Sequence, residues 1–406
     1  MKLFSDGELK ILWPFYLEYF ISSLLYFMPV FMILYLSRLN FSFTQIGILL
    51  AIYPLTSLIF EIPTGAIADL YGRKFSVLFG YFIEGICMLG LFFFENYFAI
   101  MFIFAIWGIG GTFSSGSKDA WIVDSINKKN KKLVHNFFNK MMIFIQLGLI
   151  FSGFLGAYLV NKNGLSIIWL VTSFSYLISI CLLFFFTTED YRREKVKIRE
   201  SFGKVFVQSK ETISYGYNHH VLFYYLFAGF LFAIAGCLNA SLTWTPFMKN
   251  LNFPDAYFGY MWSLMAFFSA IAPMVSSKLL KKGKEKNFII FSLAISAIVM
   301  FLILLPQNYI FALAILSLFT FSWMIGRPAS EVFFHRFIPS KMRATMGSVR
   351  SMTIYIGGIL GSIITGYLMD LIGVKFTMLL YIPLIIPIIF LYLKIKEEKK
   401  EKEENI

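Results

Sequence analysis

Apolar runs of about 20 residues, separated by short polar breaks, recur along the whole chain. About 20 residues of helix cross the hydrocarbon of a bilayer, at a rise of about 1.5 Å each. Backbone groups in lipid must be bonded internally, so such runs can only be helices. The pattern predicts twelve spans, over 11–37, 43–66, 75–94, 97–125, 137–160, 165–186, 221–248, 255–277, 287–305, 309–332, 344–368 and 375–394. The first run is too long for a signal-peptide core and lacks a small-residue cleavage site, so it counts as the first span.

Composition agrees with the pattern. Of the 406 residues, 58% are hydrophobic and 15% charged, and mean hydropathy is +0.72. Soluble domains carry about a quarter charged residues. A formal net charge of +13 in another chain would suggest nucleic acid. Here the distribution of Lys and Arg gives it a different meaning. With the amino terminus inside, 29 of the 36 basic residues fall in inside segments and 4 in outside loops. The positive-inside rule then places both termini in the cytoplasm of a multi-pass protein of the cell membrane, with the lipid bilayer as its surroundings and no nucleic-acid partner. Cys87, Cys181 and Cys237 all fall in apolar runs, as buried small residues do, and no disulfide framework is indicated. The four histidines lack metal-ligand spacing, so no metal or cofactor is expected.

The longest loop divides the spans six and six. The expected organisation is a first six-helix bundle over 1–186, a linker over 187–220, a second bundle over 221–394 and a charged cytoplasmic tail over 395–406. In the linker, Ile198, Phe202, Val205, Phe206 and Ile213 keep roughly helical spacing among charged residues, as in an amphipathic helix on the membrane surface. The halves look like a repeat. Gly148, Tyr158, Leu159 and Gly164 recur 209 residues later as Gly357, Tyr367, Leu368 and Gly373. Lys118 meets Arg327 at that offset, and Pro63 meets Pro273 near it. Two pseudo-symmetric six-helix bundles with a substrate site between them are a known transporter architecture.

The loop after the second span reads Gly65-Ala-Ile-Ala-Asp69-Leu-Tyr-Gly72-Arg73-Lys74. Gly65 lets helices approach closely and Gly72 permits a tight turn. Asp69 suits the positive end of a helix, and Arg73 can bond a carboxylate, for which Asp124 at the end of span four is the candidate. The loop resembles the signature of the major facilitator superfamily, Gly-x-x-x-Asp-x-x-Gly-Arg-(Arg/Lys), and lies where that family has it. The resemblance implies an all-α membrane fold of two six-helix bundles. It also implies that Asp69, Arg73 and Asp124 latch the halves in the outward-facing state. Drug exporters of the family carry an Arg in span four, which Phe104 to Thr112 lacks. They also carry a fifth-span motif with a proline, whose spacing is kept here from Gly148 to Ala157 without that proline.

Charges at membrane depth are costly and mark function. They are Glu18, Glu61, Glu84, Lys118, Asp119, Arg327, Glu331 and Arg350, nearly all within about 15 Å of the inner face on a rise of 1.5 Å per residue. On continuous helices, Glu18, Ser22 and Tyr26 share a face, as do Gly108, Gly111, Ser115 and Lys118, with Asp119 turned away. Thr320, Trp323, Arg327 and Glu331 share another. In the family, spans one, four, seven and ten line the cavity. The resemblance therefore gives Glu18, Ser22, Tyr26, Ser115, Lys118, Asn239, Trp244, Trp323, Arg327 and Glu331 as cavity candidates. Burial favours a protonated carboxyl and a nearby cation an ionised one. Glu18, then Glu84 and Asp119, are the candidates for carrying a proton; because span three lies outside the family's cavity, the resemblance gives Glu84 a structural hydrogen bond instead.

Together these readings imply a monomeric secondary transporter of small molecules working by alternating access, coupled to protons, and exporting drug-like or metabolite compounds. The alternative is uptake or exchange of an anion clamped by Lys118 and Arg327. No Gly-x-x-x-x-Gly-Lys-(Ser/Thr) loop for ATP occurs. A polytopic enzyme needs a carboxylate cluster at a membrane face, which the short outer loops lack. A non-transporting sensor is the other remote reading.

Overall fold

In the computed structural model, residue 4 and residues 8–127, 133–189, 219–306, 308–338 and 343–395 are described. The tail and most of the linker, including its expected amphipathic helix, lie outside the described residues. Twelve helices are long and apolar enough to cross a membrane: Leu12–Arg38, Phe43–Tyr71, Arg73–Phe93, Tyr97–Asn127, Asn136–Asn163, Ile167–Phe186, His220–Asn250, Tyr257–Leu279, Glu285–Leu304, Tyr309–Arg336, Met346–Ile372 and Val374–Lys394. Each coincides with an expected span, displaced at its ends by a few residues. Spans two and five extend well beyond the apolar runs, because the helical hydrogen-bond ladder continues past the point where the side chains turn polar.

Spans one, four, seven and ten are each interrupted, which the apolar pattern does not reveal. Span one breaks between Leu24 and Met28, span four between Ser114 and Ser117, span seven at Asn239 and Ala240, and span ten at Gly326. The causes are local. Pro29 and Pro328 lack the N–H that would continue the ladder, and their rings crowd the carbonyl four residues back. Gly116 adopts φ +67, which side chains with a Cβ disfavour. At the span-seven break, Thr243 Oγ1 donates to the Leu238 carbonyl at 3.0 Å. Broken helices are tolerated at membrane depth where protein or a cavity satisfies the freed groups.

The two six-span halves meet along two seams. Span two packs on span eleven, and span five on span eight. The seams are set by glycine. A Cβ on Gly153 would lie 2.2 Å from the Gly259 carbonyl oxygen, and one on Gly259 would lie 2.2 Å from that of Gly153. Without such contacts, TM helices have little reason to choose one partner over lipid, because lipid tails are as apolar as their side chains.

Replacing Gly116 by Ala is expected to cost about 1–2 kcal/mol, the penalty for a left-handed residue with a Cβ. Gly229→Ala is the control, since Gly229 lies in a helix with nothing within 4 Å of an added Cβ. Unfolding of the purified protein in mixed micelles with rising SDS checks this: Gly116→Ala should unfold earlier and the control no earlier than wild type.

Candidate functional site

The first half holds a polar cluster between span one and the interruption of span four. Glu18 is fully buried and forms an ion pair with Lys118. Tyr81 Oη donates to Glu18 Oε1 at 2.8 Å. The Lys118 ammonium sits 3.5 Å from the centroid of the Tyr19 ring, a close cation–π contact. Tyr19 Oη in turn donates to Asp119 Oδ1 at 3.1 Å. Two carboxylates and one lysine are thus joined through a tyrosine. A buried ion pair is stable only where further bonds satisfy both partners, and Tyr81 and Tyr19 supply them. Beside the pair lies a cavity of about 200 Å³ walled by Glu18, Ser22, Tyr26 and Glu84. Nearer the end that carries the termini, Lys140 Nζ donates to both oxygens of Glu8 at 2.6 Å, with Tyr16 Oη bonded at 2.7 Å.

The second half presents a larger cavity of about 560 Å³, whose walls include Tyr225, Trp323, Arg327, Glu331, His335 and Arg350. Arg350 binds Glu331 through two parallel bonds of 2.6 Å, the geometry that suits a guanidinium to a carboxylate. Its guanidinium lies over the Phe334 ring, 4.7 Å from the centroid. Arg327 is exposed on this wall and forms no ion pair among the described residues. Trp323 stacks on Phe232 with centroids 4.0 Å apart.

The face opposite the termini is closed by bonds across the two halves. Asp370, near the end of span eleven, accepts from Phe43 N at 3.0 Å, Thr44 N at 2.7 Å and Thr44 Oγ1 at 2.6 Å. It therefore caps the positive N-terminus of span two. A Cβ on Gly366 would lie 2.2 Å from the Phe43 carbonyl oxygen, so only glycine lets this carboxylate approach. Arg38 of the first half pairs with Asp255 of the second, which Lys249 also binds at 2.6 Å. Partial burial works against the charge, but the bonds from Lys249 and Arg38 hold the Asp255 carboxyl below its ordinary value. A lowered carboxyl value means the contribution is complete above the ordinary range near 3.9 and fades as pH falls through the lower, folded one. This pair therefore stays closed across neutral pH.

A family model described as Major Facilitator Superfamily matches residues 15–362. The chain belongs to the major facilitator superfamily. It is 25% identical over 394 residues to the MFS-type transporter YxaM of Bacillus subtilis, covering 93% of this chain and 95% of that one. An MFS-type transporter of Methanocaldococcus jannaschii is 22% identical over 355 residues, covering 86% and 88%. Among solved structures, the nucleoside transporter NupG superposes with a TM-score of 0.74 at 14% identity, covering 95% of this chain and 99% of that one. A bacterial homologue of the iron transporter ferroportin, in its inward-facing state, gives 0.76 at 12%, covering 95% and 98%. These likenesses carry the fold. The relatives are transporters rather than enzymes, and this chain is a multi-pass membrane transporter of the superfamily.

The facilitator fold places the expected residues as follows. In the signature loop, which contains Gly65, Asp69 and Gly72, Arg73 pairs with Asp124, and the backbone N–H groups of Arg73 and Lys74 each donate to Glu189 at 2.9 Å. Lys74 Nζ reaches the Phe184 carbonyl at 2.9 Å. These bonds tie the loop to spans four and six and to the start of the linker. Tyr26, Ser115 and Asn239 fall at the helix interruptions. The continuous face expected for span four does not exist: the helix is cut just before Lys118, where Gly116 turns the chain. That turn is what lets Asp119 join the Lys118 network through Tyr19. Span ten is interrupted at Gly326, yet Trp323, Arg327 and Glu331 still line one cavity. Glu84, on span three, shares the cavity wall with Glu18. Lys118 and Arg327 stand in different surroundings: the first is committed to Glu18, the second is open.

Tyr19, Tyr81, Lys140 and Asp370 are absent from the sequence reading. Asp370 carried a legible signal. Gly366-x-x-x-Asp370-Leu-x-Gly373-x-Lys375 repeats Gly65-x-x-x-Asp69-Leu-x-Gly72-x-Lys74 at an offset of 301, on the opposite face. The tyrosines carried none, since their role depends on which helices meet.

Removing the Asp370 carboxylate, as in Asp370→Ala, should loosen the closed face. Losing one charge-assisted bond shifts an equilibrium about tenfold. Spin labels at Glu95 and Ile310, exposed on that face in separate halves, would read a larger share of long distances in the variant. An unchanged distribution would show that the Asp370 contact does not hold the face shut.

Proposed function

We propose that this facilitator is a proton-coupled exporter of drug-like or metabolite compounds, that the face bearing its termini is cytoplasmic, and that the conformation described here is the inward-open one. The observation that carries the reading is the buried Glu18–Lys118 pair beside a cavity, with the face away from the termini sealed by Asp370 and Asp255. The distribution of basic residues along the sequence supports the orientation.

In the inward-open state Lys118 neutralises the Glu18 carboxylate. Alternating access moves spans one and four, since span one lines the cavity and span four is interrupted just before Lys118. A shift that parts Lys118 from Glu18 leaves an uncompensated carboxylate in an apolar place, and the lower-energy outcome there is to take up a proton. Return to the inward-open state restores the ion pair and releases the proton to the cytoplasm. Asp119 and Tyr19 hold Lys118 while this happens. Glu84 on the same wall is the second site for a proton.

An anion substrate has one supporting observation, the exposed Arg327. The expected partner in that clamp, Lys118, is engaged by Glu18 and covered by Tyr19, so the export reading is preferred.

In proteoliposomes, Glu18→Gln should abolish substrate accumulation driven by a proton gradient while leaving downhill exchange. Accumulation that survives unchanged rules out Glu18 as the coupling group. Lys118→Met alone is expected to be less stable than wild type, because it leaves a buried charge unpaired; breaking such a pair costs about 3–5 kcal/mol. Adding Glu18→Gln to it should recover part of the loss, as measured by thermal unfolding in detergent.

A further inference from the structure

The large cavity lies wholly in the second half, between spans seven, nine, ten, eleven and twelve. It reaches from Tyr225 and Gly347, near the face bearing the termini, to Gly236, beside the interruption of span seven. Small residues leave it room: a Cβ added to Gly229 or Gly347 would meet nothing within 4 Å. Its volume of about 560 Å³ falls among sites that take drug-sized molecules, about 300–1,000 Å³. An adjoining pocket of about 310 Å³, with Pro29, Trp244 and Trp262 on its wall, shares Trp323 with it and has no Asp, Glu, Lys, Arg or His among its described lining. Charge in this part of the path is thus confined to the large cavity.

The charges on its wall do not balance. They are Arg327, Glu331 and Arg350, with His335 beside them. Glu331 is the only acid among the described lining, and both its oxygens are taken by Arg350. That pair sums to zero and leaves Arg327 over. Arg327 is exposed on the wall, one turn before Glu331, and forms no ion pair among the described residues. His335 is exposed there too and brings no negative charge. A guanidinium does not give up its proton, so the surplus charge is permanent. Its planar fork fits a carboxylate through two parallel bonds, the geometry Arg350 already shows with Glu331. Around it the wall is apolar and aromatic: Leu226, Phe232, Trp323 and Ile354 all line the cavity and none is fully buried. Lys118 belongs to the other half and does not line this cavity, so the charge is read from one side alone.

We infer that this cavity binds an organic monoanion with a flat apolar body, its carboxylate on Arg327 and its body against the wall that Phe232, Trp323 and Ile354 form. A small inorganic anion would leave that wall unused, and a dianion would bring one charge more than Arg327 can match. This names the substrate class of the proposed exporter and rests on that reading only for calling the compound a substrate; the binding itself is independent of transport.

The probe is 2-naphthoate, measured by equilibrium dialysis against the full chain in phosphatidylcholine nanodiscs, with empty discs subtracted. Arg327→Gln should weaken it about tenfold or more, as expected for a hydrogen bond between charged groups. Arg327→Lys keeps the charge without the fork and should fall between that variant and wild type. 2-Naphthamide has the same body without the charge. It should bind wild type more weakly than 2-naphthoate and be indifferent to Arg327→Gln. Gly229→Leu takes up room for the ring while leaving every charge in place, and it should also weaken 2-naphthoate. Acetate, the charge without the body, should not displace 2-naphthoate at matching concentration. No binding of 2-naphthoate to wild type, equal binding of acid and amide, undiminished binding in Arg327→Gln or Gly229→Leu, an Arg327→Lys variant no better than Arg327→Gln, or displacement by acetate each overturns the inference. Counterflow of 2-naphthoate in proteoliposomes separates the two claims. Binding without flux overturns its role as a substrate and leaves the site, whereas proton-driven flux of other compounds without 2-naphthoate binding overturns the site and leaves the transporter.

Discussion

Everything in this molecule is arranged around the absence of water from the hydrocarbon, where a polar group has only the protein to bond. The backbone meets that constraint by forming helices, and side chains meet it in pairs and clusters. Glu18 shows the rule at its most demanding. A fully buried carboxylate holds an ion pair with Lys118 and a bond from Tyr81, and Lys118 is covered in turn by Tyr19. The same rule decides how the interruptions in spans one, four, seven and ten are tolerated. The Leu238 carbonyl at the span-seven interruption is taken up by Thr243, and Ser292 Oγ donates to the Ser322 carbonyl at 2.9 Å next to the interruption in span ten.

The two faces of the bundle use related sequences for different tasks. On the face bearing the termini, Arg73, Lys74, Asp124 and Glu189 tie the signature loop to the first half. On the opposite face, a near copy of that loop ends with Asp370 bonded across the seam to the start of span two. Spans two and eleven run side by side between these loops, so each end of the pair carries a Gly-x-x-x-Asp-x-x-Gly element. A carboxylate on a helix N-terminus is a bond that forms only when the two elements are close, which suits a contact that must be made and released.

The walls of the transport path differ in character. The first half offers a carboxylate-rich pocket, the second an Arg327- and Arg350-bearing cavity, and an uncharged aromatic pocket lies between spans of both halves. Solved neighbours of this fold include a nucleoside transporter, a bacterial homologue of an iron transporter and a peptide transporter. The fold therefore sets how a path opens, and local side chains decide what travels through it.

The number of spans and the two-half organisation were legible along the chain because they follow from one-dimensional quantities: run length and recurrence at a fixed offset. So were the signature loop and the list of intramembrane charges, since a charge in an apolar run stands out whatever surrounds it. The helix interruptions were not legible, although Pro29, Gly116 and Pro328 are plain in the sequence. Such residues also sit inside unbroken spans, as Pro54 and Pro63 do in span two, so their presence alone does not mark a break. Partnership was the other thing only the tertiary structure decided. Glu18 and Lys118 are 100 residues apart, Asp370 and Thr44 are 326 apart, and Trp244 and Trp262 share a pocket with Pro29. A hydropathy pattern says which face of a helix is polar, but which neighbour that face meets is set by glycine seams such as Gly153 and Gly259, where two backbones touch.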